Sequence, residues 1–360
     1  MFVRHQAEAL ADAGLAVRVL HLRSSGADAD QVPIDDTNRA LAVETFGIAD
    51  HRVRAIAEAR SALRIMKTIR DFRPDVIHAH VFDVGLSAVV AGHLLRVPVV
   101  VTEHWSRVLR GLRWFERPRA RITYRRADRV LAVGESLARG VRDLCGRTDV
   151  VVIPNVVALG GPLADGGLLP PPFHLISVGS LTEVKDHSTL IDAVAAIALD
   201  GDPDVRLAIA GDGPDLAALH ARVREAGIEH LVEFVGQVDP AGVADLLRRS
   251  HIFVLSSRIE TFSVATAEAL SVGLPVVVTQ CGGPEDFVGA EDGVVVPVGD
   301  PSALTRGITE VITRLDDWNS PAIAARARGR FAPDQVAGRL IAVFETVQRP
   351  RRRRRSTAAR

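Results

Sequence analysis

Lysine is almost absent from this chain. Of the 44 basic residues only Lys67 and Lys185 are lysines, and all the others are arginine. Cysteine is equally sparse. Cys145 and Cys281 stand far apart, which excludes a disulfide framework or a paired-cysteine zinc site and suits a reducing cytoplasm. Net charge is absent too, since 44 acids cancel 44 bases, so no overall field draws the molecule toward nucleic acid and no nucleic-acid partner is expected. Long apolar runs are missing. The most apolar stretch, residues 76–95, is interrupted by His78, His80, Asp83 and His93 and is no membrane span. The opening residues do not read as a signal peptide.

What is present is ordinary in amount and regular in order. Hydrophobic residues make up 47% and charged residues 24% of 360 positions, a soluble composition long enough for two cores. FVRHQAEALADAG reads as a helix stopped at Gly14, with a strand at 16–22; residues 24–50 read as a loop or loose insertion. Short β-branched runs then alternate with amphipathic helices, the pattern of a parallel doubly wound sheet. Gly and Pro crowd residues 158–172, the expected linker, and a second alternating series follows. The expected division is one Rossmann-like domain at 1–157 and a second at 173–333. A terminal helix at 334–349 is placed to cross back, and 350–360 reads as a disordered basic tail.

The chemistry concentrates in the second series. Glu260 and Glu268 lie eight positions apart, across a loop running into a helix. Backbone N–H groups around Phe262, Ser263 and Val264 would face an anion at that helix start. Glu268, roughly two turns in, would suit ribose hydroxyls, and Glu260 would point at the opposite end of the ligand. Upstream, Gly179 ends a strand and Lys185 precedes a helix, where its ammonium suits a diphosphate. Gly211 and Gly213 permit close backbone approach or simply form a turn. CGGPED presents Glu285 at another strand end. Each feature alone is more often structural than functional; four in this order and spacing are not easily coincidental.

The ordered set resembles the retaining glycosyltransferases of family 4, over nearly the whole chain and most sharply in the paired glutamates of ETFSVATAEALSVGLPVV. The resemblance implies the GT-B fold, two Rossmann-like domains facing across a cleft. It also implies transfer of a sugar from a nucleotide-diphospho-sugar with retention, with no cofactor and no metal. By position, Lys185 matches the diphosphate-binding lysine, Glu268 the ribose-binding glutamate and Glu260 the glutamate near the transferred sugar. Phe262, Ser263 and Val264 match the donor turn. In the first domain VTEHW resembles the segment bearing a histidine near the reaction centre, here His104, with Glu103 beside it at the cleft. HAH resembles another strand-end motif, with His80 either a cleft residue or a satisfied rim histidine.

Two departures stand out. Ser180 occupies the position where the family commonly has an arginine, which leaves one cation fewer for the diphosphate. The chain also begins on what resembles the family's first helix, so the first strand and its glycine loop are expected to be missing. The acceptor is expected to be a sugar, a lipid-linked sugar or a polysaccharide, in cell-envelope or extracellular polysaccharide or glycolipid synthesis. Residues 107–129, arginines with Trp114, Phe115 and Tyr124, suit either a solvated helix or peripheral contact with the inner face of the cell membrane. The tail 350–360 offers a second such contact. Two competing readings are a truncated, non-catalytic nucleotide-sugar-binding homologue and a nucleotide-sugar epimerase.

Overall fold

A computed structural model describes residues 2–24, 41–48, 54–157, 171–201 and 204–348. The expected linker falls almost entirely outside them, and the 350–360 tail entirely so. The first half runs α1 (Phe2–Asp12), β1 (Val17–Ser24), β2 (Leu41–Ile48), α2 (Arg54–Phe72), β3 (Ile77–His80), α3 (Phe82–Leu95) and β4 (Val99–Glu103). It continues through α4 (Arg107–Arg110), α5 (Glu116–Arg126), β5 (Arg129–Ala132), α6 (Glu135–Cys145) and β6 (Val151–Val152). The second half runs β7 (Phe173–Val178), α7 (His187–Asp200), β8 (Val205–Ala210), α8 (Leu216–Glu225), β9 (Val232–Gly236), α9 (Pro240–Arg248) and β10 (Ile252–Leu255). It closes with α10 (Val264–Ser271), β11 (Val276–Thr279), β12 (Gly293–Val296), α11 (Pro301–Thr313), α12 (Ser320–Phe331) and α13 (Pro333–Val347).

The helix starts follow from local chemistry. Asp239, Asp300 and Asn319 each accept a first-turn amide through the side chain, with proline at the first or second helical position. That arrangement satisfies one otherwise orphaned donor and pre-sets the first backbone angle. Strands β4, β10 and β11 are buried throughout, as continuous Val/Ile/Leu runs require when helices cover both faces.

Among the described residues every strand pairing is parallel. The second half forms one six-stranded sheet in the order β12-β11-β10-β7-β8-β9. Counted from its own first strand this is the doubly wound order 3-2-1-4-5-6, whose crevice lies where the order reverses, here between β7 and β10. In the first half, β3 to β6 pair in chain order, and β1 and β2 form a separate two-stranded sheet. β2 is a correction. The loop expected at 24–50 contains an eight-residue strand that pairs with β1 from Val17↔Leu41 to Ser24↔Ile48. LAVETFGI lacks strict alternation, so its pattern alone did not announce a strand.

The chain does return to the first half. Val336, Ala337, Leu340 and Phe344 of α13 share a buried cluster with Ala9 and Leu10 of α1, Val100 of β4 and Leu131 of β5. A second tie is the Val157 amide, which donates to the Phe331 carbonyl at 3.1 Å.

Candidate active site

The end of β7 leads through Gly179 into a turn held by the Lys185 amide, which donates to the Thr182 carbonyl at 2.8 Å. Asp186 follows in the left-handed region, φ 49. Its carboxylate accepts from Ser188 Oγ at 2.8 Å and Thr189 Oγ1 at 2.9 Å, and pairs with Arg258 at 3.0 Å. The segment after β10 grips the same turn: Ser256 Oγ donates to the Lys185 carbonyl, and the Arg258 amide to that of Val184. The two loops flanking the switch point are therefore knitted together before any ligand arrives.

Lys185 and Glu260 meet directly. Nζ lies 2.5 Å from Glu260 Oε1, which also accepts from Ser257 Oγ at 2.9 Å. The sequence reading gave Lys185 to the diphosphate and Glu260 to the transferred sugar, with no contact between the two. The interlocked loops instead bring them together, and each neutralises the other.

Ser263 caps α10 from a strained backbone, φ 69 and ψ 87, and its Oγ accepts from the Thr266 amide. The cap leaves the amides of Val264 and Ala265 outside the helix's own ladder, and no described hydrogen bond uses them. The Phe262 side chain is core, packed on the rings of Phe287 and Phe331 at 5.2 and 5.3 Å. Only its backbone is placed to serve a ligand. Glu268 lies a little over one turn into α10. Burial lifts its pKa to about 7, and its carboxylate takes no hydrogen bond among the described residues.

These groups converge on one cavity of about 420 Å³. Gly179, Lys185, Glu260, the 261–265 turn and Glu268 line it from the second half, with Val238, Pro240 and Val243 as an apolar side; His104 and Asn155 face them from the first half. Lys185 is the single Lys or Arg side chain on its lining among the described residues. Ser180, where a second cation was missed, is solvent-exposed.

His104 Nε2 lies 3.0 Å from His80 Nδ1, and the His80 ring lies 4.3 Å from that of His78, centroid to centroid. Burial pushes His80 down to about 4 and His78 and His104 well below the usual range, with the His80 ring adding to the effect on His104. All three imidazoles are neutral at pH 7. Asn155, buried beside His104, was not anticipated. Its signal was a Pro-Asn pair closing the strand DVVVIP.

Five expected site residues take other positions. Gly211 and Gly213 do approach a backbone closely, but it is the chain's own: a Cβ on Gly211 would sit 1.9 Å from the Gly179 carbonyl oxygen, and one on Gly213 2.3 Å from that of Leu181. They hold the Lys185 turn from behind. Glu103 is wholly buried, with its oxygens taken by the amides of Phe82, His104 and Trp105 and by Tyr124 Oη at 2.5 Å. It fixes the His104 loop and does not line the cavity. Glu285 accepts from the Gly282 amide at 2.7 Å and braces that turn off the cavity wall. His80 stands behind His104, outside the lining.

Residues 166–327 match the family described as Glycosyl transferases group 1, and residues 1–160 match Glycosyltransferase Family 4. Glycogen synthase of Mycobacterium tuberculosis is 30% identical over 362 aligned residues, spanning 93% of this chain and 85% of that protein. The chain is a family 4 glycosyltransferase. This glycosyltransferase also shares its fold with solved structures. Sucrose-phosphate synthase of Thermosynechococcus elongatus superposes with a TM-score of 0.75 at 20% identity, covering 96% of this chain and 92% of that one. HepE of Anabaena, solved with UDP, superposes with a TM-score of 0.72 at 20% identity, covering 85% and 87%. The two-domain GT-B architecture expected from the motifs is the architecture of this glycosyltransferase.

Proposed function

We propose that this glycosyltransferase uses a nucleotide-diphospho-sugar and transfers its sugar with retained anomeric configuration. The observation that carries the reading is the cavity itself: one lysine, a helix start with unclaimed amides and an unpartnered carboxylate, facing a neutral histidine. The donor diphosphate lies against Lys185 and the α10 start, and Glu268 accepts from the ribose hydroxyls. The base rests along Val238, Pro240 and Val243, and Glu260 and His104 flank the transferred sugar. HepE, with UDP in its solved structure, supports the choice of donor class.

Reaction breaks the bond from the anomeric carbon to the diphosphate oxygen and forms one to the acceptor oxygen on the same face. The bonding pair leaves with the diphosphate, where Lys185 and the helix N-terminus stabilise the developing charge by several kcal/mol. The acceptor proton passes to a leaving phosphate oxygen. The reading needs no resident cofactor and assigns no metal, since the nucleotide-sugar is a co-substrate. It divides the work between an acceptor side at 1–157 and a donor side at 173–333.

The acceptor belongs to envelope or extracellular polysaccharide synthesis, and the protein works at the cytoplasmic membrane face. Support comes from the surface formed by the stretch that follows His104 in the chain. There the basic stretch is two helices, α4 and α5, and Trp114 is 84% and Ile122 50% exposed among exposed Arg110, Arg113, Arg117, Arg121 and Arg126. Trp114 and Arg113 lie in the turn between the two helices, and exposed arginine with tryptophan suits an anionic lipid surface. No described helix is long and apolar enough to cross a membrane.

Incubation with UDP-, GDP- and ADP-sugars tests the reading: transfer or slow donor hydrolysis is expected, with the product anomer read by NMR. Nucleotide binding without any turnover would sink it. Co-sedimentation with anionic but not neutral vesicles tests the membrane contact.

A further inference from the structure

The two halves also touch beside the cavity, apart from the α13 packing and the Val157–Phe331 tie. Helix α6 begins at Gly134, which offers no side chain to cap it. The cap comes from the other half of the molecule. Asp286 Oδ2 accepts from the Glu135 amide at 2.6 Å, across 151 positions of sequence, and the Ser136 amide faces the same carboxylate. A carboxylate at a helix N-terminus meets unsatisfied donors and the positive end of the dipole. Around this contact the surfaces leave no slack. A Cβ on Gly134 would lie 2.6 Å from the Thr261 carbonyl oxygen, and one on Gly282 would lie 3.6 Å from the Ser136 Cβ.

Asp286 is also rigidly joined to the donor loop. It ends the Pro284–Asp286 turn, whose amide donates to Gly283, and Gly283 packs so tightly that its Cβ would lie 2.6 Å from the Phe262 nitrogen. The Glu260 amide in turn donates to the Cys281 carbonyl at 2.9 Å. A force on Asp286 is thus a force on residues 260–262.

We propose that Asp286 and the Gly134–Ser136 start of α6 form an interdomain clasp that seats the Glu260–Phe262 loop opposite His104 in the closed enzyme. Asp286 is a positioning residue. It touches no reacting atom; it fixes the distance between the half that holds the donor and the half that presents the acceptor. Transfer depends on that distance, and a displacement of about 1 Å at a reacting pair costs on the order of a hundredfold in rate. Nucleotide binding does not depend on it, because its residues belong to the second half.

The test opens the clasp from each side. Asp286→Ala removes the cap. Gly134→Val inserts a wedge, and its own backbone, φ −154 and ψ 162, accepts a β-branched residue without local strain. With UDP as the probe, small-angle scattering is expected to show a larger radius of gyration than the parent's for both variants, at unchanged UDP affinity. With the active donor sugar, kcat is expected to fall roughly tenfold to a hundredfold. Asp286→Asn keeps an acceptor oxygen and should recover most of both. The proposal falls if both variants stay as compact and as fast as the parent. It also falls if Gly134→Val is silent while Asp286→Ala loses stability and UDP affinity together, which would make Asp286 a local brace. The scattering arm reads closure without turnover, so it separates failure of the clasp from failure of the donor assignment.

Discussion

At the scale of single residues the site is a set of charges held in readiness. Lys185 is occupied by Glu260 rather than free in solvent, so an arriving diphosphate competes with a carboxylate. This gives two substitutions opposite signs. Lys185→Ala is expected to weaken UDP binding roughly tenfold to a hundredfold, the loss of one charge-assisted contact. Glu260→Gln is expected to leave UDP binding equal or tighter while transfer falls sharply; isothermal titration and initial rates separate the two. Glu268 carries its own signature. Its pKa near 7 comes from burial, and hydroxyl donors from a ribose favour the ionised form. UDP binding near pH 7 should therefore release roughly half a proton, seen as a buffer-dependent binding enthalpy and absent in Glu268→Gln. Equal enthalpies in all buffers would remove Glu268 from the ribose.

At the scale of elements, position comes from what each helix or strand is tied to. Helix α10 starts where it does because Ser263 accepts φ 69 and caps it, a strained residue of the kind that gathers at ligand sites. Strand β4 delivers His104 because Glu103, buried beneath it, collects three amides and a tyrosine hydroxyl. Helix α13 belongs by sequence to the second half and by packing to the first, with Leu340 and Phe344 buried against α1 and β4. Leu340→Ala is expected to cost about 2–5 kcal/mol, measured by urea unfolding, and an effect below 1 kcal/mol would deny the crossing helix a structural role.

For the whole molecule, the buried histidines make acid the vulnerable direction. His80 and His187 are held near 4, and His78 and His104 are also lowered, all chiefly by burial. In the unfolded chain each takes a proton near 6.5. Their contribution is complete above that value and is lost as pH falls below 6.5; for His80 and His187, held near 4, it is on the order of 1–3 kcal/mol each. Glu103 and Glu268, raised by burial, act in the opposite sense. His5 is lowered as well and Asp286 raised, so five lowered histidines stand against three raised carboxylates; thermal melting is expected to fall between pH 7 and 4.5, and the fall should be smaller in His80→Asn. A melting temperature flat over that interval would contradict the burial assigned to these rings.

The sequence by itself determined the parallel alternation, the two-domain architecture, the helix starts at Asp239 and Asp300, and the family. These follow from local signals: β-branched runs of strand length, side chains that cap their own neighbours, and a glutamate pair at fixed spacing. It also singled out Lys185, Glu260, Glu268 and His104, which share one cavity. Only the tertiary structure decided which groups meet. The spacing of Glu260 and Glu268 is local, but the Lys185–Glu260 pair spans 75 positions and the Asp286–Glu135 contact 151. A glycine, likewise, reads the same in sequence whether the backbone it admits is a ligand's neighbour or the chain itself, as at Gly211 and Gly213. Glu103 was misplaced for the same reason: a strand-end carboxylate can face the cleft or the core, and that choice rests with Tyr124, which packs from another helix.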